Sequence, residues 1–560
     1  MVMTDRAGSP SMLVPDFPFA YDTYLAHPAG LGAVPVDARG TEVAIVGAGM
    51  AGLVAAYELM RLGLRPVVYE AGEIGGRLRS QGFPGTPGAV ADLGGMRFPA
   101  SGRAFGHYLR ILDVRTSPFP NPLAPQTPST VIELGGRRHY AERPEDLPPV
   151  FGEVSRAWAG ALADGAELPA LRAAIGARSV AAVKEIWNRL VPRLDDESFS
   201  GFLARSGAFG SFAHRELFGQ VGFGTGGWDT DFPNSMLEIL RVVATDADDQ
   251  HVRVQGGAQS VPLALWRRAP SSLAGWTPGA SLESLHGGSP RPAVRALRRL
   301  DDGRIGVLDR WGTERPYAAV ISTVQSWLLS AWIDTDETLF SHEVWMALER
   351  SHYMQSSKTF VLVDRPFWRD RDPGTGRHVM STTLTDRMTR GTYLLDGGSG
   401  LEDPDAATRP AVLCLSYTWN DDALKWLALP TDERVRLMLH SLHQIYPDLD
   451  VATHILGEPI TISWEREPHF MGAFRGNLPG HYRYQRRMFT HFVQDGFAPG
   501  HRGIFLAGDD ISFTPGWAEG AVHTALNAVW GVVHQLGGRS APGNPGPGDR
   551  FGDLAPVELT

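Results

Sequence analysis

A chain of 560 residues is too long for one ordinary hydrophobic core, so two or more domains are expected. Hydrophobic residues make up 43% and charged residues 20%, which fits a globular protein, and a net charge of −10 argues against nucleic acid as a partner. The single cysteine, Cys414, excludes an intramolecular disulfide and every cysteine-rich metal site.

The chain opens on "MVMTDRAGSPSMLVPDFPF", which has no apolar stretch of signal-peptide length. No run of about 18 apolar residues follows, so a membrane span is not expected and the default location is the cytoplasm. Residues 1–39 read as an arm rich in proline and aromatics. Its "DFPFAYDTYL" is too apolar for simple disorder, so the arm is expected to pack on the body or on a neighbouring subunit.

Val43–Val46 is a short apolar run, read as a buried parallel strand. Gly47-x-Gly49-x-x-Gly52 follows, then a helical pattern from Leu53 to Leu62, then a second strand, Pro66 to Glu70. Gly47 allows the tight turn, Gly49 lets the backbone approach a pyrophosphate, and Gly52 lets the helix lie on the strand. The helix N-terminus offers free N–H groups and a positive dipole end to phosphate. Glu70 stands 18 residues past Gly52, where a carboxylate can accept from a ribose diol and disfavours a 2′-phosphate. This pattern predicts dinucleotide binding but leaves NAD and FAD open.

Two more glycine-rich loops follow. "GEIGGRLRS" brings Gly76 and Arg77, and "ADLGGMRFP" brings Gly95, Met96 and Arg97. They suit a longer, branched cofactor. Residues 150–205 carry helical periodicity, and another helix is predicted from Ser235. Asp302-Gly303 reads as the turn of a hairpin, and "AAVISTV" as a buried strand. "MQSSKTFVLVDRPFW" and "AVLCLSYTW" read as strands, and "TDERVRLMLHSLHQIY" as a helix capped by Thr431. Near the end, a strand from Ile504 to Ala507 leads through Asp509 into a helix over about Gly516 to Val533. Asp509 could bind a ribitol hydroxyl, and the start of that helix could stabilise a reduced flavin, which favours FAD. The last residues, 541–560, read as a Pro/Gly-rich surface tail.

The fold class expected is α/β: a Rossmann-like FAD-binding domain interleaved with a mixed α+β substrate domain and a helical segment. The FAD-binding domain is placed at 40–115, 250–330 and 485–540, and the substrate domain at 116–249 and 331–484.

Long strings resemble the flavin amine oxidase superfamily and, within it, the bacterial L-amino-acid 2-monooxygenases that act on lysine. They include "DFPFAYDTYLAHPAGLG", "GQVGFGTGGWDTDFPNSMLEI", "YMQSSKTF", "LPGHYRY" and "AGDDISFTPGWAEGAV", and they span nearly the whole chain. The resemblance implies FAD without a metal, O2 as oxidant and a homo-oligomer, dimer or tetramer. It implies oxidative decarboxylation of L-lysine to 5-aminopentanamide, carbon dioxide and water. L-Arginine as substrate, or plain oxidation to a 2-oxo acid, ammonia and peroxide, are the alternatives. A nicotinamide dehydrogenase and a non-catalytic flavoprotein are the readings from other classes.

Site residues follow residue by residue. Arg97 resembles the family's carboxylate clamp, a role its planar fork suits; an ion pair or a phosphate contact is the plain alternative. Lys358 matches a lysine placed near the flavin, and it stands in an apolar strand pattern rather than a solvated one. Asp231 is the expected partner of a distal substrate cation, with Asp229 as competitor. Trp419, Trp517 and Phe474 are expected to line the pocket, where aromatics can hold an aliphatic stem and a cation. Cofactor contacts are implied at Gly47, Gly49, Ala51, Gly52, Glu70, Gly76, Arg77, Gly95, Met96, Val294, Asp509 and Ala518. The 18 histidines show no metal spacing, and His352, His523 and His534 read as packing or surface groups. Against the lysine enzymes, Phe513, Gly516 and Ala247 are departures that could widen the pocket for arginine or move the balance between monooxygenation and simple oxidation.

Overall fold

The computed structural model describes residues 11–221, 233–396 and 407–559. In chain order, the elements that build the site begin with β1 (Glu42–Val46), α1 (Met50–Arg61) and β2 (Arg65–Tyr69). They continue with β3 (Thr130–Leu134), β4 (Arg137–Ala141), α2 (Pro149–Ala166), α3 (Leu168–Gly176), α4 (Val180–Leu194), α5 (Phe199–Arg205), α6 (Phe212–Val221) and α7 (Met236–Ala244). The second half adds β5 (Ala319–Ser322), β6 (Ser356–Val363), β7 (Thr382–Thr385), β8 (Gly391–Leu395), β9 (Ala411–Trp419), β10 (Ile455–Ser463), β11 (Ile504–Leu506) and α8 (Ala518–Gln535).

Two sheets organise these elements. The first is parallel, in the order β11-β5-β1-β2, so strands far apart in sequence lie side by side. Its strands are continuous apolar runs because helices cover them, as a parallel sheet requires. From Met50 to Met60, α1 is buried on every side, and it packs against α8. That close approach depends on Gly52, where a Cβ would stand 2.0 Å from the Gly47 carbonyl oxygen. The second sheet has seven strands, β10-β6-β9-β8-β7-β3-β4, antiparallel except at β7–β3. Helices α2 to α7 gather their apolar faces around Trp187, Leu190 and Leu240, each fully buried.

Several expectations are met in detail. The hairpin turns at Gly303 between strands Val294–Arg299 and Ile305–Asp309. Ser235 caps α7, its hydroxyl accepting from the Leu237 N–H. The arm packs on the body of its own chain, with Phe17 and Tyr21 buried in the main core.

Other details differ. The helix over Thr431–Ile445 takes Pro430, not Thr431, as its N-cap. The last helix starts at Ala518, two residues later than expected, because Gly516 adopts φ +80° and Trp517 is extended. The tail is not merely superficial. Leu554 is 2% exposed within the main core, and the carbonyls of Ala555 and Val557 accept from Lys184 Nζ and the Tyr482 hydroxyl.

Candidate active site

One deep cleft runs between the two sheets, and most of the expected residues line it. From the turn after β1, the start of α1 and the end of β2 come Gly47, Gly49, Ala51 and Glu70. The loops that follow give Gly76, Arg77, Gly95, Met96 and Arg97. Val294, Lys358, Trp419, Phe474, Asp509, Trp517 and Ala518 complete the expected set. Gly52 does not line it: it lies beneath the turn, where its role is helix-to-strand contact. Asp229 and Asp231 lie outside the described residues.

The nucleotide end has a bare helix start. Gly49 is the N-cap of α1 and makes no side-chain cap bond, which leaves the first-turn N–H groups for an anion. Glu70 does not stand free. Its carboxylate accepts from the Ala48 N–H at 2.6 Å and the Gly72 N–H at 2.8 Å, which holds the glycine turn. A carboxylate has about four acceptor sites, so lone pairs remain for a diol. Asp509, expected to be open to a hydroxyl, is paired with Arg77 at 2.5 Å and accepts from the Gly516 N–H at 3.0 Å. The pair joins the second glycine loop to the approach of α8. Charge, dipole and open backbone at this end fit a dinucleotide diphosphate.

The cleft is also lined by two cationic side chains, Lys358 and Arg97. Lys358 lies on β6 and is 2% exposed. Its Nζ donates to the carbonyls of Asp92 (3.2 Å) and Gly94, and stands 4.7 Å from the centre of the Tyr417 ring. Burial pushes its pKa down to about 8, against the pull of Cys414 and Asp92. Arg97 is half-buried. Its Nη1 donates to Asn121 Oδ1 at 3.3 Å, and among the described residues it makes no ion pair. A guanidinium so placed is short of an anion.

The structure adds residues that sequence reading did not find. His251 Nε2 lies 2.8 Å from the Ala247 carbonyl, and Nδ1 lies 2.8 Å from Asn121 Nδ2. The consistent tautomer donates from Nε2 and accepts at Nδ1, so Asn121 turns its oxygen to Arg97. Burial, reinforced by Arg97, pushes the His251 pKa down to about 3, so the ring is neutral. It also stacks on Trp517, with centroids 5.5 Å apart. Tyr417 sits opposite Lys358 in the β6–β9 register. Alternation along "SYTW" was the one signal that could have placed Tyr417 beside Trp419. Nothing local marks Asn121 or His251.

Trp419 and Phe474 meet edge to face at 5.6 Å, forming an aromatic corner of the cleft. Of the departures noted above, Gly516 matters here: a Cβ would lie 3.3 Å from the Phe474 ring. Phe513 does not widen the cleft. It is buried against Phe489 and beneath Arg241. Ala247 acts through its carbonyl. His523 stacks on Tyr21, as a packing group does. Among the described residues no group of three His, Cys, Asp or Glu side chains could hold a metal.

Comparison with known proteins agrees with this geometry. The family model described as flavin containing amine oxidoreductase matches residues 50–533. A tryptophan 2-monooxygenase of Pseudomonas savastanoi is 31% identical over 97% of this chain and 98% of its own. The enzyme of the same name from Agrobacterium vitis is 30% identical over 92% of this chain and 68% of its own. An L-amino-acid oxidase of Mus musculus is 26% identical over 89% and 71%. The motifs pointed to lysine enzymes, whereas these relatives carry tryptophan or a general amino acid in their names. In fold, a putrescine oxidase matches with TM-score 0.63 at 20% identity over 88% of this chain and 99% of its own. Cyclohexylamine oxidase from Brevibacterium oxydans matches with TM-score 0.65 at 18% identity over 89% and 100%.

Proposed function

Because the chain belongs to the flavin containing amine oxidoreductase family, we propose that this FAD-dependent L-amino-acid 2-monooxygenase acts on L-lysine. Lysine and O2 give 5-aminopentanamide, carbon dioxide and water. We place the enzyme in the cytoplasm as a homo-oligomer. The β1–α1 turn and the loops bearing Arg77 and Arg97 would hold FAD, which would supply the two-electron acceptor for the amino acid and the route of those electrons to O2.

The observation that carries this reading is Arg97, half-buried, without an ion-pair partner among the described residues, and lining the same cleft as the Trp419–Phe474 corner. Arg97 binds the substrate carboxylate and so fixes Cα, with Asn121 and His251 holding the guanidinium in place. Trp419, Phe474 and Trp517 exclude water and hold the side-chain stem. Lys358, with its pKa near 8, can hold or release a proton at Nζ close to neutral pH. The motif around Asp231 supports a basic side chain.

Tryptophan is the second reading, favoured by the names of the relatives and by the aromatic lining. The test is to incubate the yellow holoenzyme in air with L-lysine, L-arginine and L-tryptophan and to quantify amide, 2-oxo acid and peroxide. The proposal expects mostly 5-aminopentanamide, from lysine. A preference for tryptophan or arginine would overturn the substrate, and mostly peroxide with oxo acid would overturn the monooxygenase outcome.

A further inference from the structure

Four carboxylates line the cleft among the described residues: Glu70, Glu238, Asp248 and Asp509. Three are committed. Glu70 accepts from the N–H groups of Ala48 and Gly72. Glu238 accepts from Asn477 Nδ2 at 2.5 Å and stands 3.9 Å from Arg241 Nη1. Asp509 pairs with Arg77 at 2.5 Å. Asp248 is the exception. Its carboxylate meets its own backbone N–H, but Oδ1 is buried without a hydrogen-bond partner, and among the described residues it makes no ion pair. The arginine on that side, Arg172, is engaged elsewhere: it pairs with Asp246 at 2.8 Å and donates to the Val243 carbonyl from Nε at 3.0 Å and Nη2 at 2.6 Å. Burial pushes the Asp248 pKa up to about 6, so the carboxylate is charged at neutral pH.

Asp248 follows α7 in a loop that is tied at both ends. The Ala247 N–H donates to the Val242 carbonyl at 3.0 Å, and the Ala100 N–H donates to the Gln250 carbonyl at 3.2 Å. On either side of Asp248, Asp246 and Gln250 hold left-handed φ of +50° and +47°, a conformation that costs any residue with a side chain. The loop ends on His251, which stacks on Trp517 in the aromatic lining and reaches Arg97 through Asn121. One cleft thus holds an unpaired guanidinium and an unpaired carboxylate. The α-amine of an amino acid must be neutral to lose a hydride from Cα, and an anion beside it would favour the ammonium instead. The carboxylate therefore suits a second cation, at the far end of a side chain.

We infer that Asp248 is a specificity-determining residue: its carboxylate receives the distal cation of a basic amino acid whose α-carboxylate is held by Arg97. The buried anion then gains its counter-charge only when substrate is bound. The inference rests on the amino-acid oxidation proposed above, and it gives the side-chain cation a partner within the described residues, beside the expected Asp231.

The test compares KM for L-lysine with KM for L-norleucine, which is lysine without its distal ammonium, in holoenzyme carrying Asp248→Asn. The variant is expected to raise KM for lysine about 30-fold or more, while KM for norleucine stays within about 3-fold. Its Tm at pH 8 is expected to equal or exceed that of the wild type, because an unpaired buried charge is removed. Equal rises in KM for the two amino acids, an unchanged KM for lysine, or a Tm well below the wild type would overturn the inference. If Asp248→Asn yields no yellow protein, Asp248→Ser is read by the same ratio. Failure of both variants to fold would make the acid a structural one and overturn the inference as well. Wild-type flavin that lysine does not bleach without air overturns the function proposed above. Wild type that turns lysine over, beside a variant with an unchanged lysine-to-norleucine ratio, overturns only the role of Asp248.

Discussion

At the scale of single residues, the cleft is governed by two cations that burial treats differently. Arg97 makes no ion pair among the described residues, so its guanidinium is open to an anion. Arg97→Met should cost about 2–5 kcal/mol of substrate binding, a rise in KM of roughly 30- to 5,000-fold, because the bound carboxylate is then left buried and unpaired. Steady-state kinetics with the preferred amino acid measures it, and a KM within a factor of three would remove Arg97 from the clamp role. Lys358 is in the reverse position. Its pKa of about 8 lies below that of an unfolded lysine, so between these two pH values the unfolded chain binds more protons. Stability therefore rises as pH climbs from 8 towards the unfolded value of about 10.4, and below pH 8 the buried charge costs its full amount. Lys358→Met should thus raise Tm at pH 7 and give a smaller gain at pH 10, while slowing turnover about 100-fold. A Tm gain that is flat with pH would show that desolvation of the charge is not the cause.

Among the elements, the β1–α1 turn is the part where geometry leaves least room. Gly52 needs its hydrogen because the Gly47 carbonyl occupies the space of a Cβ, at 2.0 Å. Gly52→Ala must push α1 off the sheet or break the turn. We expect a colourless or FAD-poor protein with lowered Tm, checked by the ratio of flavin to protein absorbance, and a fully yellow variant would contradict this account. The same turn was legible in the sequence because its logic is local: a strand, three glycines and a helix follow within twenty residues. The helix starts show the limit of such local reading. Thr431 and Gly516 both looked like boundaries, yet Pro430 caps one helix and an extended Trp517 precedes the other. One backbone dihedral moves a boundary by a residue or two, and side-chain preference is too weak to fix it.

For the whole molecule, the described parts of the arm and the tail, from residue 11 and up to residue 559, contribute to the core. The arm buries Phe17 and Tyr21, and the tail buries Leu554 in the same cluster. Burying a leucine contributes about 1.5–3 kcal/mol, and the tail adds acceptors for Lys184 and Tyr482. Truncation before Phe551 should therefore lower Tm by several degrees, as read by thermal melting, although composition alone had placed this tail on the surface. Pro and Gly content reports the shape of the backbone, whereas burial depends on what lies opposite, and nothing near residue 554 in sequence reveals residues 184 or 482.

By itself the sequence determined the chemical class of this protein: the glycine turn with its acid, the loops bearing Arg77 and Arg97, and the strings shared with flavin amine oxidases. Those signals are short-range, because a phosphate-binding turn and an arginine loop are each built from consecutive residues. Only the tertiary structure decided how Arg97 is held, through Asn121 and His251, how deeply Lys358 is buried, and how Asp16 on the arm pairs with Arg241. Each of these joins residues more than a hundred positions apart or depends on desolvation. Desolvation and long-range charge pairing are properties of a packed volume, and a linear pattern does not carry them.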